Sequence, residues 1–238
     1  MTDRLRIAHC SDIHLGANGA GAADPCRARF ARALDAMAAD RPDLMLLAGD
    51  LFDTNSVGDD TVAFAMEALA RLPFPVAMIP GNHDCLADDA VFRRHDFGRI
   101  ANLRLLADAA GGSAVLPELG VSVWGKGMVE HSRDFRPLAG SPKRPEGIRW
   151  HLGMGHGLFV PRGEASERSS PIRMEEIEAA GFDYLALGHH HAAMELVTPS
   201  ATAAYSGSPT DDVGRGATYA IVDLAAGAAP TLAIRVVG

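Results

Sequence analysis

Twice within its first 85 residues the chain runs through an unbroken apolar stretch of strand length, stops at a glycine, and then presents polar side chains. The two stretches are "DLMLLAGDLFD" (43–53) and "PVAMIPGNHD" (75–84). A strand that is apolar at every position, rather than at every second one, is covered on both faces. Helical periodicity fills the intervals. Asp24-Pro25 supplies an N-cap and a first-turn proline, after which Phe30, Leu34 and Met37 recur at helical spacing. Val62, Met66 and Leu69 do the same over 59–71. Alternating strand and helix of this kind predicts a parallel sheet flanked by helices, an α/β fold.

Beyond Asn102 the signal becomes a series of short strands, at 104–106, around Val115, and at 121–124 and 149–154. The stretch "SPIRMEEIEAAG" (170–181) reads as one more helix, closed by Gly181. Strand signals then finish the chain at 184–187, 195–198, 203–205, 219–223 and 232–236. There is no repeat, heptad or low-complexity tract, and the expectation is one α/β domain over 1–238 whose two halves each contribute a sheet.

The chain has 238 residues, 47% hydrophobic and 22% charged, enough to bury a core without disulfides. Cys10, Cys26 and Cys85 form an odd set without framework spacing, which suits a reducing compartment. The opening "MTDRLRIAHC" lacks the apolar region of a signal peptide, and no apolar run is long enough to cross a membrane, so a cytoplasmic location is expected. A net charge of −8 speaks against a broad basic face for sequence-independent nucleic-acid binding.

The chemistry lies where the strands end. "SDIHLG" (11–16), "GDLFD" (49–53), "GNHD" (81–84), "GMGHG" (153–157) and "GHHH" (188–191) each place Asp, Asn or His just past an apolar run, beside glycine. Ligands of open α/β sheets collect at the carboxyl ends of strands. In extended chain residues i and i+2 point the same way, so Asp12 and His14 are expected to converge, as are His189 and His191, with His190 turned away. Singly these are weak signals: Asp50 could be a cap, Asn82-His83 a turn, and His156 a satisfied core histidine. Jointly, a mixed carboxylate, imidazole and amide set suits Mn, Fe or Zn better than Ca or Mg. Asp12, His14, Asp50, Asn82, His156, His189 and His191 are too many for one tetrahedral ion and fit two sharing a carboxylate.

The ordered blocks D-x-H, G-D-x-x-D, G-N-H-D, G-H and G-H-x-H, running from Asp12 to His191, resemble those of the calcineurin-like metallophosphoesterase superfamily. The resemblance implies a four-layer α/β/β/α sandwich of two mixed sheets holding two divalent ions, manganese first, with iron or zinc as alternatives. It implies that Asp12, His14 and His191 hold one ion, that Asn82, His156 and His189 hold the other, and that Asp50 bridges. A bridging hydroxide would then attack phosphorus. His83 matches the histidine that protonates or stabilises the leaving oxygen, and Asp53 the acid that orients it, with Asp84 a weaker candidate for that support.

Three further stretches, "IAHCSDIHLG" (7–16), "GDLFDT" (49–54) and "AYSGSP" (204–209), resemble the SbcD-type DNA repair nucleases. That implies a phosphodiester substrate such as single-stranded or damaged DNA. About thirty residues follow "SGSP", so a stand-alone domain without a capping domain is expected. The alternatives are a small-molecule diesterase, for instance of cyclic nucleotides, and a non-catalytic metal-binding scaffold. Arg162 and Arg168, in the polar loop after His156, are candidates to grip a phosphate. No partner protein can be named from the sequence.

Overall fold

The structure is a computed structural model that describes residues 3–17, 24–210 and 214–238. Its first sheet is built on four parallel strands, β1 (Arg4–Cys10), β2 (Leu44–Ala48), β3 (Val76–Ile79) and β4 (Leu103–Leu105). The second is built on β6 (Val121–Gly125), β7 (Trp150–His156), β10 (Tyr184–Gly188) and β12 (Thr202–Ser206), also parallel. Antiparallel strands finish it at both edges: β5 (Gly112–Leu116) beside β6 and β11 (Ala193–Val197) beside β12. A small ribbon pairs β8 (Leu158–Val160) with β9 (Pro171–Arg173).

Alternation along each strand makes the layers. Leu5, Ile7, Leu44, Leu46 and Ala77 face the second sheet and meet Val123, Leu152, Tyr184 and Ala204 in a buried middle layer. Ala8, Cys10, Met45, Leu47 and Met78 face outward, onto α1 (Pro25–Ala39) and α2 (Asp59–Ala70). Leu185, Leu187 and Tyr205 form the outer face of the second sheet, covered by Ile177 of the short helix α4 (Met174–Ala179) and by Phe182. The result is the expected α/β/β/α sandwich of two mixed sheets, with a thin outer layer on the second. Between β3 and β4 lie a single turn, α3 (Val91–Arg94), and a 3-10 turn, Phe97–Arg99.

Two expectations are corrected. The halves do not each make one sheet: β13 (Thr218–Ala225) returns to lie antiparallel to β1, and β14 (Thr231–Val236) pairs on β13. Without β13 the edge of β1 would leave backbone groups unpaired in the interior. The returning strand also adds Val222 and Leu224 to the middle layer and Tyr219 and Ile221 to the outer one. The segment read as helix from Ser170 begins as strand β9, and the helix starts only at Met174. There the N–H of Arg173 donates to Glu176 Oε2 at 2.7 Å, the reciprocal half of a capping box.

Candidate active site

All the candidate ligands stand at one edge of the sandwich, where the parallel strands of both sheets end. The loops after β1 and β2 are zipped together by Asp12 N–H to Gly49 O (3.1 Å), Ile13 N–H to Asp50 O (2.8 Å) and Leu15 N–H to Leu51 O (3.0 Å). The loops after β2 and β3 are tied by Asp84, whose buried carboxylate accepts from the N–H groups of Leu51 (2.8 Å), Phe52 (3.2 Å) and Gly81 (2.7 Å). Asp84 is therefore a brace of the backbone and makes no bond to the ring of His83. Burial and the nearby Asp50 push its carboxyl up to about 7.

Asp12, His14, Asp50 and His189 adopt positive φ, at 57°, 54°, 55° and 100°. Non-glycine residues rarely do so, and such strain concentrates at functional sites. The convergence of Asp12 and His14 therefore has a different cause from the one expected: left-handed turns, not an extended strand, aim them together. His189 and His191 diverge. His189 Nδ1 lies 2.8 Å from Asn82 Oδ1, whereas His191 Nε2 lies 3.7 Å from Asp12 Oδ1. His190 turns away, its Nδ1 on Ala192 O and its ring against Tyr205.

Two clusters result, joined by Asp50. Donor atoms of Asp12, His14 and His191 lie within 4.8 Å of one another, as do those of Asp12, Asp50 and His156, and those of His14, Asp50 and His83. Asn82 Oδ1 is 2.9 Å from His156 Nε2. Oδ2 of Asp50 faces both sides, 3.2 Å from His156 Nε2 and 3.8 Å from His14 Nε2, while its Oδ1 accepts the N–H of His83 at 2.9 Å. Gly81 has no alternative here, because a Cβ on it would overlap Asp50 Oδ1.

The donor set fits divalent metal ions. Asp12 and Asp50 are buried at 0% and 1% exposure. Among the described residues their partners are imidazoles, hydroxyls and backbone N–H groups, with no lysine or arginine. The far nitrogens of two rings are held: His156 Nδ1 is 2.7 Å from Ala48 O, and His14 Nδ1 is 3.2 Å from Asp53 Oδ1. Ligating histidines are oriented in this way, with the second nitrogen on a carbonyl or carboxylate and Nε2 left for the ion. Burial alone would raise the Asp50 carboxyl and lower His156, but their mutual attraction wins, holding Asp50 well below the usual carboxylate range and raising His156 to about 9. Burial, with the neighbouring His156, pushes His189 down to about 3.

The remaining candidates separate. His83 is on the solvent side with its ring 4.5 Å from that of His14, and its Nδ1 bonds the backbone carbonyl of Asp53 at 2.8 Å. The Asp53 carboxylate is 3.7 Å from that nitrogen and 3.2 Å from His14 Nδ1, so it supports His14 more closely than His83. Arg162 is bound to Glu178 and lies near Glu175, both on α4, and does not line the cavity beside His189. Arg168 does line it, with His131, Arg133 and Ser169. The "AYSGSP" stretch is buried beneath the site: Ser208 N–H donates to His191 O (3.2 Å), and Ser206 Oγ lies 3.4 Å from Ser11 Oγ, which donates to Asp12 Oδ2 at 2.5 Å. His131, Arg133 and the Ser11–Ser206 pair carry no sequence signal of their own, since single polar residues in loops are ordinary.

Among the described residues no helix is long and apolar enough to cross a membrane. Residues 5–193 match the calcineurin-like phosphoesterase family. An uncharacterized metallophosphoesterase of Bacillus subtilis, YhaO, is 25% identical over 230 residues, 87% of this chain and 53% of that protein. The SbcD component of the nuclease SbcCD from Staphylococcus saprophyticus is 30% identical over 86 residues, 34% of this chain and 23% of that one. The chain thus spans about half or less of the length of these relatives. Among solved structures, a dimetal phosphatase from Danio rerio shares the fold at TM-score 0.63 and 11% identity, covering 98% of this chain and 96% of that one. A protein of Thermus thermophilus, TT1561, does so at 0.62 and 12%, covering 98% and 99%. On the family match, over most of its length, this chain belongs to the calcineurin-like phosphoesterases.

Proposed function

We propose that the protein is a phosphodiesterase that works with two divalent ions, manganese first, and cleaves DNA strands. The observation that carries the two-ion reading is the position of Asp50 Oδ2 between His14 Nε2 and His156 Nε2, a single buried carboxylate oxygen shared by two ligand clusters. Asp12, His14 and His191 would hold one ion, and Asn82, His156 and His189 the other. Two such ions clamp a phosphoryl group and lower the pKa of a water toward about 7.

The chain's own groups supply the rest. Asp53 O fixes the Nδ1–H of His83, which leaves Nε2 of that ring to carry a proton to the departing ester oxygen. Asp84 and the backbone zipper hold the three loops against one another, so the donors are arranged before substrate arrives. The partial similarity to the nuclease component supports a DNA substrate. The odd cysteine count, without framework spacing, suits a reducing, cytoplasmic setting.

The test is an assay with Mn²⁺ of a chromogenic diester beside single-stranded and duplex DNA. Cleavage of single-stranded DNA supports the reading. Brisk hydrolysis of a small diester with no DNA cleavage would replace it with a small-molecule diesterase, and no diester hydrolysis at all would leave a scaffold.

A further inference from the structure

Beside His189, a cavity of about 380 Å³ opens against the second ligand cluster, lined by His131, Arg133, Leu158, Glu167, Arg168 and Ser169. That volume is at the small end of ligand pockets and would take one nucleotide-sized group. Its wall is built. The loops after β6 and β8 are joined by Ser170 N–H to Ser132 O (2.9 Å), and Ser170 holds a positive φ of 50° with its side chain buried. At the tip of this wall the ring of His131 meets that of His189 at 5.4 Å, edge to face.

The charges in the cavity are not equivalent. Arg133 is paired with Glu167 at 2.5 Å, both side chains being exposed. The Arg168 backbone N–H bonds Ser166 Oγ, but among the described residues its guanidinium has no carboxylate or carbonyl partner. An uncommitted guanidinium in a cavity walled partly by a candidate metal ligand, in a chain of net charge −8, is placed to receive an anion that enters with the substrate.

We propose that this cavity is a subsite for a second phosphate, the one next to the scissile phosphate, with Arg168 as its specificity-determining residue. Resting on the phosphodiesterase reading, it gives that reading a residue by which molecules with successive phosphates, as in a polynucleotide strand, are preferred over an isolated diester.

The test compares two substrates with the same nitrophenolate leaving group in the presence of Mn²⁺. They are thymidine 5′-(p-nitrophenyl phosphate) and the same compound carrying a 3′-phosphate. Wild type should favour the second in kcat/KM. In Arg168→Gln the preference should fall about tenfold, through KM, as expected for losing a charge-assisted bond to phosphate, and Arg168→Lys should restore part of it. Arg168 is exposed on a loop, so the substitution spares the core. An equal preference in wild type and Arg168→Gln, or none in wild type, overturns the subsite. No hydrolysis of either substrate by wild type overturns the phosphodiesterase reading, and the subsite with it.

Discussion

Asp53 touches His83 through its backbone and His14 through its side chain: His83 Nδ1 is 2.8 Å from Asp53 O, while Asp53 Oδ1 is 3.2 Å from His14 Nδ1. The sequence motif places an acid near the candidate proton donor, but the geometry gives its carboxylate to a candidate ligand. Asp53→Asn should therefore weaken metal binding about 10–100-fold, the usual cost of losing a carboxylate behind a ligating histidine. Orientation of His83 should survive, because the carbonyl remains. Titration with Mn²⁺ reads this directly. An unchanged titration, with rates lowered only for poor leaving groups, would return the carboxylate to His83.

His83→Ala should keep both ions and cut turnover by roughly 10²–10⁴-fold. The loss should be far smaller for a nitrophenyl ester, whose leaving group barely needs a proton. Losses of equal size for good and poor leaving groups would remove His83 from that role.

Gly81 stands where a Cβ would overlap Asp50 Oδ1 and crowd the Asp50 N–H. Gly81→Ala should displace the shared carboxylate and lower the bound metal to less than two ions per chain, with far-UV circular dichroism unchanged. Retention of both ions would show that Asp50 has freedom to shift.

His9 is buried in the middle of the sandwich with Nδ1 2.8 Å from the Tyr184 hydroxyl, and burial pushes its imidazole down to about 3. In the unfolded chain the same group titrates near 6.5. Between these values the unfolded state binds the proton and the folded state does not, so stability falls as pH drops through that window. The slope is on the order of 1 kcal/mol per pH unit. Thermal melts of metal-free protein from pH 7 to pH 4 should show a steeper decline for wild type than for His9→Gln. Equal slopes would mean that His9 is relieved of its burial.

The apolar runs ending at Gly49 and Gly81 gave away the central strands, because burial on both faces leaves no room for polar residues. The ligand-bearing loops were legible for a related reason: Asp, Asn and His recur after strands that otherwise admit none. What escaped was non-local. Nothing in 218–225 says that the strand passes the second sheet to cover the edge of β1, since both edges accept an apolar strand. Asp84 looked like part of the catalytic motif, yet its partners are backbone N–H groups from the β2 loop, 32 and 33 residues away in sequence, as well as from nearby Gly81. The separation of His189 from His191 follows from a φ of 100° at His189, which alternation along a strand cannot foresee.

The account turns on one buried carboxylate serving two ions, and calorimetric titration of chelator-treated protein with Mn²⁺ addresses it most directly. Wild type should bind two ions per chain, with diester hydrolysis appearing only as the second site fills. Asp50→Ala should bind neither tightly, because its Oδ2 faces both clusters. A stoichiometry of one in wild type, or an Asp50→Ala variant that still holds two ions and hydrolyses the diester, would contradict it.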